Sequence, residues 1–222
     1  MKIILKHSIF LLVFSKSCYE TSCTTKNYKN TGKGIELNLS SGKLTISPLS
    51  SNSVRVKLSQ KPPVHSLDEL IYTESIDIPS YRVKETKEDI TLTLEHISVT
   101  FNKEVENLTF KDQNGSVLRQ EKPNGRVMQS STIQEEPTYL VEQQFISPKD
   151  EYIYGTGQFQ DGYLNIRGLT RRLTQVNTQI SIPFILSNKG YGLLWNNYGL
   201  TVFNPTDESA ELFLAQNKNE KM

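Results

Sequence analysis

The sequence predicts an all-β fold, a many-stranded antiparallel β-sandwich, on two observations. Apolar and polar residues alternate with a period of two in successive short runs, and turn signals separate the runs. No stretch shows the helical period of about 3.6 residues, although Ser66–Tyr72 could form one or two helical turns. A chain of 222 residues is long enough for one large all-β domain or two small ones.

The strands predicted in chain order follow from the alternating runs. Each run places its apolar residues on one face, as a sheet with one wet face requires. The runs are Leu44–Ile46, Val54–Leu58, Ile90–Leu94 and Ile97–Phe101. The dipeptide Asn114-Gly115 then predicts a hairpin between Leu108–Phe110 and Val117–Leu118, because Asn-Gly tolerates positive φ.

The N-terminus has the features of an export signal. Lys2 and Lys6 precede the apolar run Ser8–Phe14, which is too short to span a bilayer. We therefore assign residues 1–18 to a signal peptide or lipoprotein-type signal, 19–33 to a polar linker and 34–222 to the β-sandwich domain. The expected location is outside the cytoplasm, in a periplasm or on the outer surface.

The two cysteines, Cys18 and Cys23, leave two interpretations open. In the first, Cys18 is the lipidated residue of a bacterial lipoprotein, and this lipid is the only link to a membrane. In the second, the pair closes a small disulfide in an oxidising compartment. Neither forms a metal site, because two Cys without a nearby His cannot complete a tetrahedral shell. We expect no metal and no cofactor.

The charge balance argues against a nucleic-acid partner. The chain has 25 Lys and Arg against 24 Asp and Glu, which gives a net charge of +1. Proteins that bind nucleic acids carry a basic patch or stripe, and this sequence has none.

The segment Tyr152–Pro205 carries most of the functional information. It alternates glycines with short β-prone runs and places amide side chains between aromatic ones. Amides bond hydroxyl groups in both directions, and aromatic rings stack on the apolar face of a sugar, so this composition suits carbohydrates. The amides include Gln158, Gln175 and Asn177, and the rings in polar surroundings are Phe159 and Tyr163.

Four features of this segment have competing interpretations. Asp161 precedes a glycine and either supports a turn, contacts a sugar or acts as a base. Gly155-x-Gly157 lacks the third glycine and the helix of a nucleotide site, so we predict a tight turn after a strand at Tyr152–Tyr154. Trp195 lies between apolar residues and is predicted in the core rather than as a stacking platform. Arg171-Arg172 is predicted as a solvated loop, with anionic-sugar binding as the alternative.

Several motifs occur here in an ordered series. They are Tyr154-Gly-Thr-Gly-Gln158, Leu164-Asn165 with Arg167-Gly168, Ile182-Pro-Phe184 and Gly190-Tyr-Gly-Leu-Leu-Trp-Asn-Asn197. In order and spacing they resemble the N-terminal galactose-mutarotase-like supersandwich of glycoside hydrolase family 31, the α-glucosidase and α-xylosidase family. The resemblance covers roughly residues 34 to 205. From its residues alone, Ile182-Pro183-Phe184 is predicted as the entrance to a strand, with the proline at an edge or first position.

The resemblance implies an accessory role in a carbohydrate enzyme. In that family more sandwich strands follow, with Glu211–Leu214 as a candidate here, and then a catalytic barrel. The domain is thus expected to be incomplete at the C-terminus. The missing barrel and an α-linked oligosaccharide or glycan are the implied partners.

A loop of the family's domain leans over the barrel mouth. By position this loop is Gln175–Asn177, with Asn177 where many relatives carry Asp. The expected sugar-binding residues are Asn177, Gln175, Gln158, Asp161 and Phe159.

No catalytic residue is expected in this chain. Family members are retaining glycosidases, and retention needs two carboxylates about 5–5.5 Å apart. Both lie in the family's barrel, and nothing in this sequence matches their motifs. The alternative is a stand-alone surface protein, either carbohydrate-binding or purely structural, built on the same sandwich.

Overall fold

The computed structural model describes residues 2–5, 28–59, 77–197 and 199–203. Every regular element in these ranges is a β-strand, which confirms the predicted all-β class. The described residues divide into a first unit within Lys6–Ile146 and a second unit formed by Met1–Leu5 with Ser147–Met222. Ser66–Tyr72, Glu211–Leu214, Cys18 and Cys23 lie outside the described residues, so their predicted roles stay predictions.

The first unit contains two antiparallel sheets. Their strands are β2 Tyr28–Asn30, β3 Ile35–Leu39, β4 Gly42–Ser50, β5 Ser53–Ser59, β6 Arg82–Glu85, β7 Asp89–Thr93, β8 Ile97–Asn102, β9 Leu108–Asp112, β10 Val117–Ile133 and β11 Glu136–Ile146. In one sheet the neighbouring strands follow the order β2-β3-β4-β5, and in the other they follow the order β11-β10-β9-β8-β7-β6. β2 lies within the residues that the sequence assigned to the linker.

The period-2 pattern explains the core of the first unit. Alternate residues of β4 are buried, β3 buries all three residues that lie opposite them, and β5 buries Leu58 opposite Leu44. Each sheet thereby buries one face, the arrangement of a β-sandwich. Fully buried side chains come from both sheets: Ile35, Leu37, Leu44, Ile46 and Leu58 from the first, and Ile90, Leu92, Val99, Phe101, Leu108 and Val141 from the second.

The predicted Asn-Gly hairpin is confirmed between β9 and β10. Gly115 has a φ of +84°, and its N–H donates to the carbonyl of Asp112 at 3.1 Å. The carboxylate of Asp112 also accepts from the N–H groups of Asn114 and Ser116 at 2.9 and 2.8 Å. Positive φ and a short polar side chain therefore close this turn, as the sequence indicated.

The second unit contains six strands in its described residues. They are β1 Lys2–Leu5, β12 Ile153–Gln158, β13 Arg171–Leu173, β14 Ile180–Ser187, β15 Tyr191–Leu194 and β16 Leu200–Phe203. β16 pairs with β13 and β1, and β14 is the central strand between β12 and β15. β1 lies inside the segment assigned to the export signal, and export stays a prediction.

A small apolar cluster forms the core of the second unit. Ile153, Ile166, Ile185 and Phe203 are buried together, with Leu169 and Leu193 packed against them. Trp195 is only 4% exposed, and its backbone N–H donates to the carbonyl of Pro183 at 2.7 Å. The predicted core position of Trp195 is therefore confirmed.

The prediction of a tight turn at Gly155-x-Gly157 is wrong. These residues lie inside β12, where Gly155, Thr156 and Gly157 have φ values of +113°, +65° and +98°. The register between β12 and β14 shifts at this point, where one residue of β12 lies opposite three of β14, so the glycines lie opposite a β-bulge in β14. A pair of glycines indicates positive φ, which occurs both in tight turns and in irregular strands. In this case the strand continues through the two glycines.

The bulge also explains Pro183, which is neither first in its strand nor at a sheet edge. Gly155 pairs with Ile185 and Gly157 pairs with Ser181, so Pro183 falls within the register shift. A proline in a central strand is tolerated at a bulge, because no ladder hydrogen bond is required from its missing N–H. The predicted strand entrance at Ile182 is therefore corrected to Ile180.

The close approach of β12 and β14 makes Gly157 sensitive to substitution. A Cβ at Gly157 would lie 2.1 Å from the carbonyl oxygen of Ile180. We predict that Gly157→Ala destabilises the protein by about 3 kcal/mol, because backbone strain and a steric clash add. Gly162→Ala is the matched control: its φ is +73°, but the space around it is open. It should cost about 1 kcal/mol. Urea unfolding of both variants measures the difference, and equal losses would contradict this explanation.

Candidate functional site

The guanidinium of Arg171 lies at the centre of the polar cluster in the second unit. β13 carries this residue, which is only 6% exposed. Its Nε donates to Oδ2 of Asp161 at 3.0 Å, and its Nη2 donates to Oδ1 at 2.7 Å and to Oδ2 at 2.6 Å. This two-pronged pairing fixes the carboxylate in both position and orientation.

The other side of Arg171 is bound to the positive-φ segment of β12. Nη1 donates to the hydroxyl of Thr156 at 2.9 Å and to the carbonyl of Gly155 at 3.2 Å. The guanidinium also lies 4.5 Å from the centre of the Phe159 ring, a cation–π distance. The prediction that Arg171 belongs to a solvated loop is therefore wrong: it is buried in a strand, while its neighbour Arg172 is exposed.

Asp161 is held as a charged carboxylate. Its Oδ1 accepts from the N–H of Tyr163 at 3.2 Å in addition to the bonds from Arg171. Partial desolvation acts to raise the pKa of Asp161, but the hydrogen bonds from Arg171 and Tyr163 outweigh it and lower the pKa. The carboxylate thus supports the turn that follows β12, one of the roles that the sequence suggested.

The loop between β13 and β14 is braced by its own side chains. Val176 and Gln179 exchange backbone hydrogen bonds of 3.3 and 3.2 Å around a two-residue tip. The Gln179 amide donates to the carbonyl of Thr174 at 2.9 Å, and the Ser181 hydroxyl donates to the same carbonyl at 2.6 Å. Asn177 is the first residue of the tip and is exposed.

The structure brings the predicted sugar-binding residues to neighbouring loops. Gln158 pairs with Ile180 at the start of β14, and the braced loop immediately precedes that point. Gln175 lies in that loop, where its Oε1 accepts from the N–H of Ser181 at 2.9 Å. Phe159 and Asp161 lie in the loop that begins after Gln158. Gln158 and the Asn177 loop are therefore at the same end of the β12–β14 pair.

The loop after Asp161 presents apolar side chains to solvent. Tyr163 is 61% exposed and Leu164 is 79% exposed. An exposed ring next to polar groups can stack on the apolar face of a sugar while its hydroxyl bonds to water or ligand. The predicted stacking role of Tyr163 thus has the required exposure. Phe159 is partly buried, and one of its contacts is the Arg171 guanidinium.

Sequence reasoning missed a second buried polar cluster, around Glu151. This residue is fully buried, and its carboxylate accepts hydrogen bonds from the hydroxyls of Ser147, Ser187 and Tyr191. These bonds tie the β14–β15 hairpin to the chain before β12. The sequence gives no signal for Glu151, because neither it nor Ser147 lies in a strand with alternating burial. Its other two partners, Ser187 and Tyr191, lie about forty residues further along the chain.

No group of three or more His, Cys, Asp and Glu side chains in the described residues is placed to hold a metal ion. Among the same residues, no helix is long and apolar enough to cross a membrane.

Neighbouring arginines on β13 provide a matched stability test. We predict that Arg171→Gln destabilises the protein by about 2 kcal/mol, because Asp161, Thr156 and the carbonyl of Gly155 lose charged or polar partners. Arg172→Gln, at an exposed position of the same strand, should change stability by no more than about 0.5 kcal/mol. Chemical unfolding measures both, and similar losses in the two variants would count against the central role of Arg171.

The lowered pKa of Asp161 predicts a pH-dependent contribution to stability. Because the folded pKa lies below the unfolded value of about 3.9, the contribution is present above that pH and is lost as pH falls through the folded pKa. Asp161→Asn should therefore melt below the wild type at neutral pH, and the gap should close under acid conditions. Thermal melts across this pH range test it, and a constant gap would rule it out.

Comparison with known proteins identifies the domain. Residues 43–204 match the model of the glycosyl hydrolase 31 N-terminal galactose mutarotase-like domain. An α-xylosidase of Saccharolobus solfataricus is 38% identical over 121 residues, which cover 50% of this chain and 16% of that protein. A family 31 glucosidase of Pseudescherichia vulneris, itself uncharacterized, is 31% identical over 176 residues, 69% of this chain and 32% of that protein.

Solved structures agree with this assignment. The crystal structure of a family 31 α-xylosidase from a soil metagenome, complexed with xylose, superposes with a TM-score of 0.71 at 28% identity. The match covers 81% of this chain and 29% of that one. The chain thus spans about a third or less of the relatives it matches. It belongs to the glycosyl hydrolase 31 N-terminal galactose mutarotase-like domain family.

Proposed function

We propose that this chain acts as the carbohydrate-binding accessory N-terminal domain of a family 31 α-glycosidase. In this role it supports a catalytic domain and borders its substrate pocket, and the hydrolytic carboxylates belong to that other domain. The substrate class is an α-linked glucoside or xyloside. The relatives named as α-xylosidases, and the one complexed with xylose, support this class.

The observation that carries the proposal is the braced loop that presents Asn177. Hydrogen bonds from Gln179 and Ser181 to Thr174 fix the loop, so that Asn177 is held at its tip beside the end of β12. A preorganised amide loses little entropy on binding and can both donate to and accept from sugar hydroxyls. Gln158, the last residue of β12, supplies a second amide, and Tyr163 supplies a ring on the loop that follows β12.

An exposed apolar face of the second unit supports the docking role. Ile180, Ile182 and Leu186 alternate along β14 and are about half exposed, as is Leu194, which belongs to the adjacent strand β15. Leu194 pairs with Phe184, which continues the same alternation. Contiguous apolar surface of this kind marks protein–protein contact sites. We infer that a catalytic domain covers this face.

The state of Asp161 is consistent with a supporting role. A general acid or base works best with a pKa near the operating pH. Arg171 and the Tyr163 N–H lower the pKa of Asp161 instead, so the carboxylate stays charged and its oxygens stay hydrogen-bonded within the protein. We therefore assign to Asp161 the role of positioning the loop after β12, which carries Tyr163.

We also propose that the protein is exported and acts in the periplasm or at the outer surface. The basic and apolar N-terminal residues support export, and Cys18 is the proposed site of lipid attachment. An α-glycosidase at this location would meet oligosaccharides before they enter the cell.

A chimeric enzyme tests the role of Asn177. Residues 34–203 of this chain would replace the matching part of the soil-metagenome α-xylosidase. We predict that Asn177→Ala in this chimera lowers kcat/KM for an aryl α-xyloside about tenfold, because one hydrogen bond to the sugar is lost. Steady-state kinetics measures the change.

Asn114→Ala is the matched control for that experiment. Asn114 is also an exposed amide in a turn, but it lies in the first unit. Its substitution should leave kcat/KM unchanged. An active chimera in which the two substitutions have the same effect would refute the proposed contact.

The exposure of Tyr163 and Leu164 favours a second candidate, a stand-alone surface carbohydrate-binding protein. Such a protein must bind its glycan tightly with no catalytic domain present. Calorimetric titration of this chain with xylose and with α-linked oligosaccharides separates the two functions. Tight binding by the chain alone supports the second candidate, and binding too weak to detect supports the accessory role.

A further inference from the structure

Two Asn-Gly pairs occur in the sequence, and the structure gives them different surroundings within the first unit. Asn114-Gly115 lies in the hairpin between β9 and β10, and Asn124-Gly125 lies where the β10–β11 register shifts. Both asparagine side chains are exposed. Neither side-chain amide makes a hydrogen bond within the part of the chain that the structure describes.

An asparagine followed by glycine can react with its own main chain. The backbone nitrogen of the glycine loses its proton and attacks the side-chain carbon Cγ, a five-membered succinimide ring closes, and the side-chain nitrogen leaves as ammonia. A side chain on the second residue hinders this approach, and glycine has none. Water then opens the ring at either carbonyl and leaves aspartate or its β-linked isomer, isoaspartate. The net reaction consumes one water and exchanges an amide for a carboxylate and ammonium, with no oxidation or reduction.

The surroundings of Gly115 leave room for this attack. Gly115 is exposed, and a Cβ at its position would meet no atom within 4 Å. The hydrogen bonds that close the turn converge on Asp112, whose carbonyl accepts from the N–H of Gly115 at 3.1 Å. Its carboxylate accepts from the N–H groups of Asn114 and Ser116. Exposed backbone bonds of this kind are among the first to open in a folded protein.

The surroundings of Gly125 restrain it. Gly125 is buried, and a Cβ at its position would lie 2.8 Å from the carbonyl oxygen of Lys122. The next residue is Arg126, whose buried guanidinium is paired with the buried carboxylate of Glu121. Rotation of the Gly125 nitrogen toward the side chain of Asn124 would disturb this packed backbone and the adjacent ion pair. Such an opening costs more free energy than the opening of an exposed turn.

We propose that Asn114 is a site of spontaneous covalent modification, which converts to aspartate and isoaspartate in the folded protein, while the fold protects Asn124. The product places a second carboxylate close to that of Asp112, and like charges repel. Isoaspartate also adds a methylene group to the main chain, which shifts the N–H groups that Asp112 binds. The modified chain is therefore more acidic and its β9–β10 hairpin is weakened. This inference does not depend on the proposed enzymatic context.

Peptide mapping of the full chain, incubated at neutral and at mildly alkaline pH, tests the proposal. Trypsin separates the two sites into the peptides Asp112–Arg119 and Gln120–Arg126, and mass spectrometry detects the exchange of amide for acid. In the folded chain, we expect Asn114 to react at least about tenfold faster than Asn124, because the buried glycine opens more rarely. The rate at Asn114 should rise with pH, since the attacking nitrogen must lose its proton. In urea the two sites should react at similar rates.

Matched glutamine variants identify the source of the acidic species on ion exchange. Asn114→Gln should abolish it, because glutamine would have to close a six-membered ring, which forms far more slowly. Asn124→Gln should leave it unchanged, and circular dichroism checks that both variants retain the β fold.

Three results would overturn the proposal. They are equal rates at the two sites in the folded chain, an Asn114 that stays intact when folded but reacts in urea, and an acidic species that survives Asn114→Gln. If a variant fails to fold, peptide mapping of the wild type still decides between the two sites.

Discussion

The candidate site depends on the hydrogen bonds and the ion pair that the guanidinium of Arg171 makes. It joins the carboxylate of Asp161, the hydroxyl of Thr156 and the carbonyl of Gly155, and it lies against the ring of Phe159. A buried guanidinium with carboxylate, hydroxyl and carbonyl partners fixes the elements that provide them, because each broken bond would leave a polar group poorly solvated. Strand β12, the loop after it and strand β13 are thus held in one arrangement.

The backbone of β12 is shaped to meet that guanidinium. Three successive residues with positive φ lie opposite the bulge in β14, the Thr156 hydroxyl accepts from Arg171, and Thr156 is 1% exposed. A β-branched residue with positive φ is strained, and surrounding contacts must hold it. Pro183 lies within the same register shift, where no ladder bond is needed. The irregular backbone, the ion pair and the loop of the candidate site are therefore parts of one structural arrangement.

The strands of the first unit could be predicted from sequence because burial on one face leaves a direct period-2 record, as Leu44 and Ile46 show. The Asn114-Gly115 hairpin was predictable because its chemistry is local. Arg171 was not, because a charged residue is exposed by default and its partner Asp161 lies ten residues away without a periodic relation. The sequence indicated that Gln175 and Asn177 belong to one loop. It could not show that Gln179 and Ser181 brace that loop, since such bonds depend on the fold of the turn.

The role proposed for Asn177 is tested by the structure of the active chimera, in which residues 34–203 of this chain replace the matching part of the soil-metagenome α-xylosidase, with an α-linked disaccharide bound. We expect the side-chain amide of Asn177 to lie within hydrogen-bond distance of a sugar hydroxyl, about 2.7–3.2 Å, and Thr174–Ser181 to keep its internal hydrogen bonds. A bound sugar that makes no contact with the Asn177 loop would contradict the claim that this domain borders the substrate pocket.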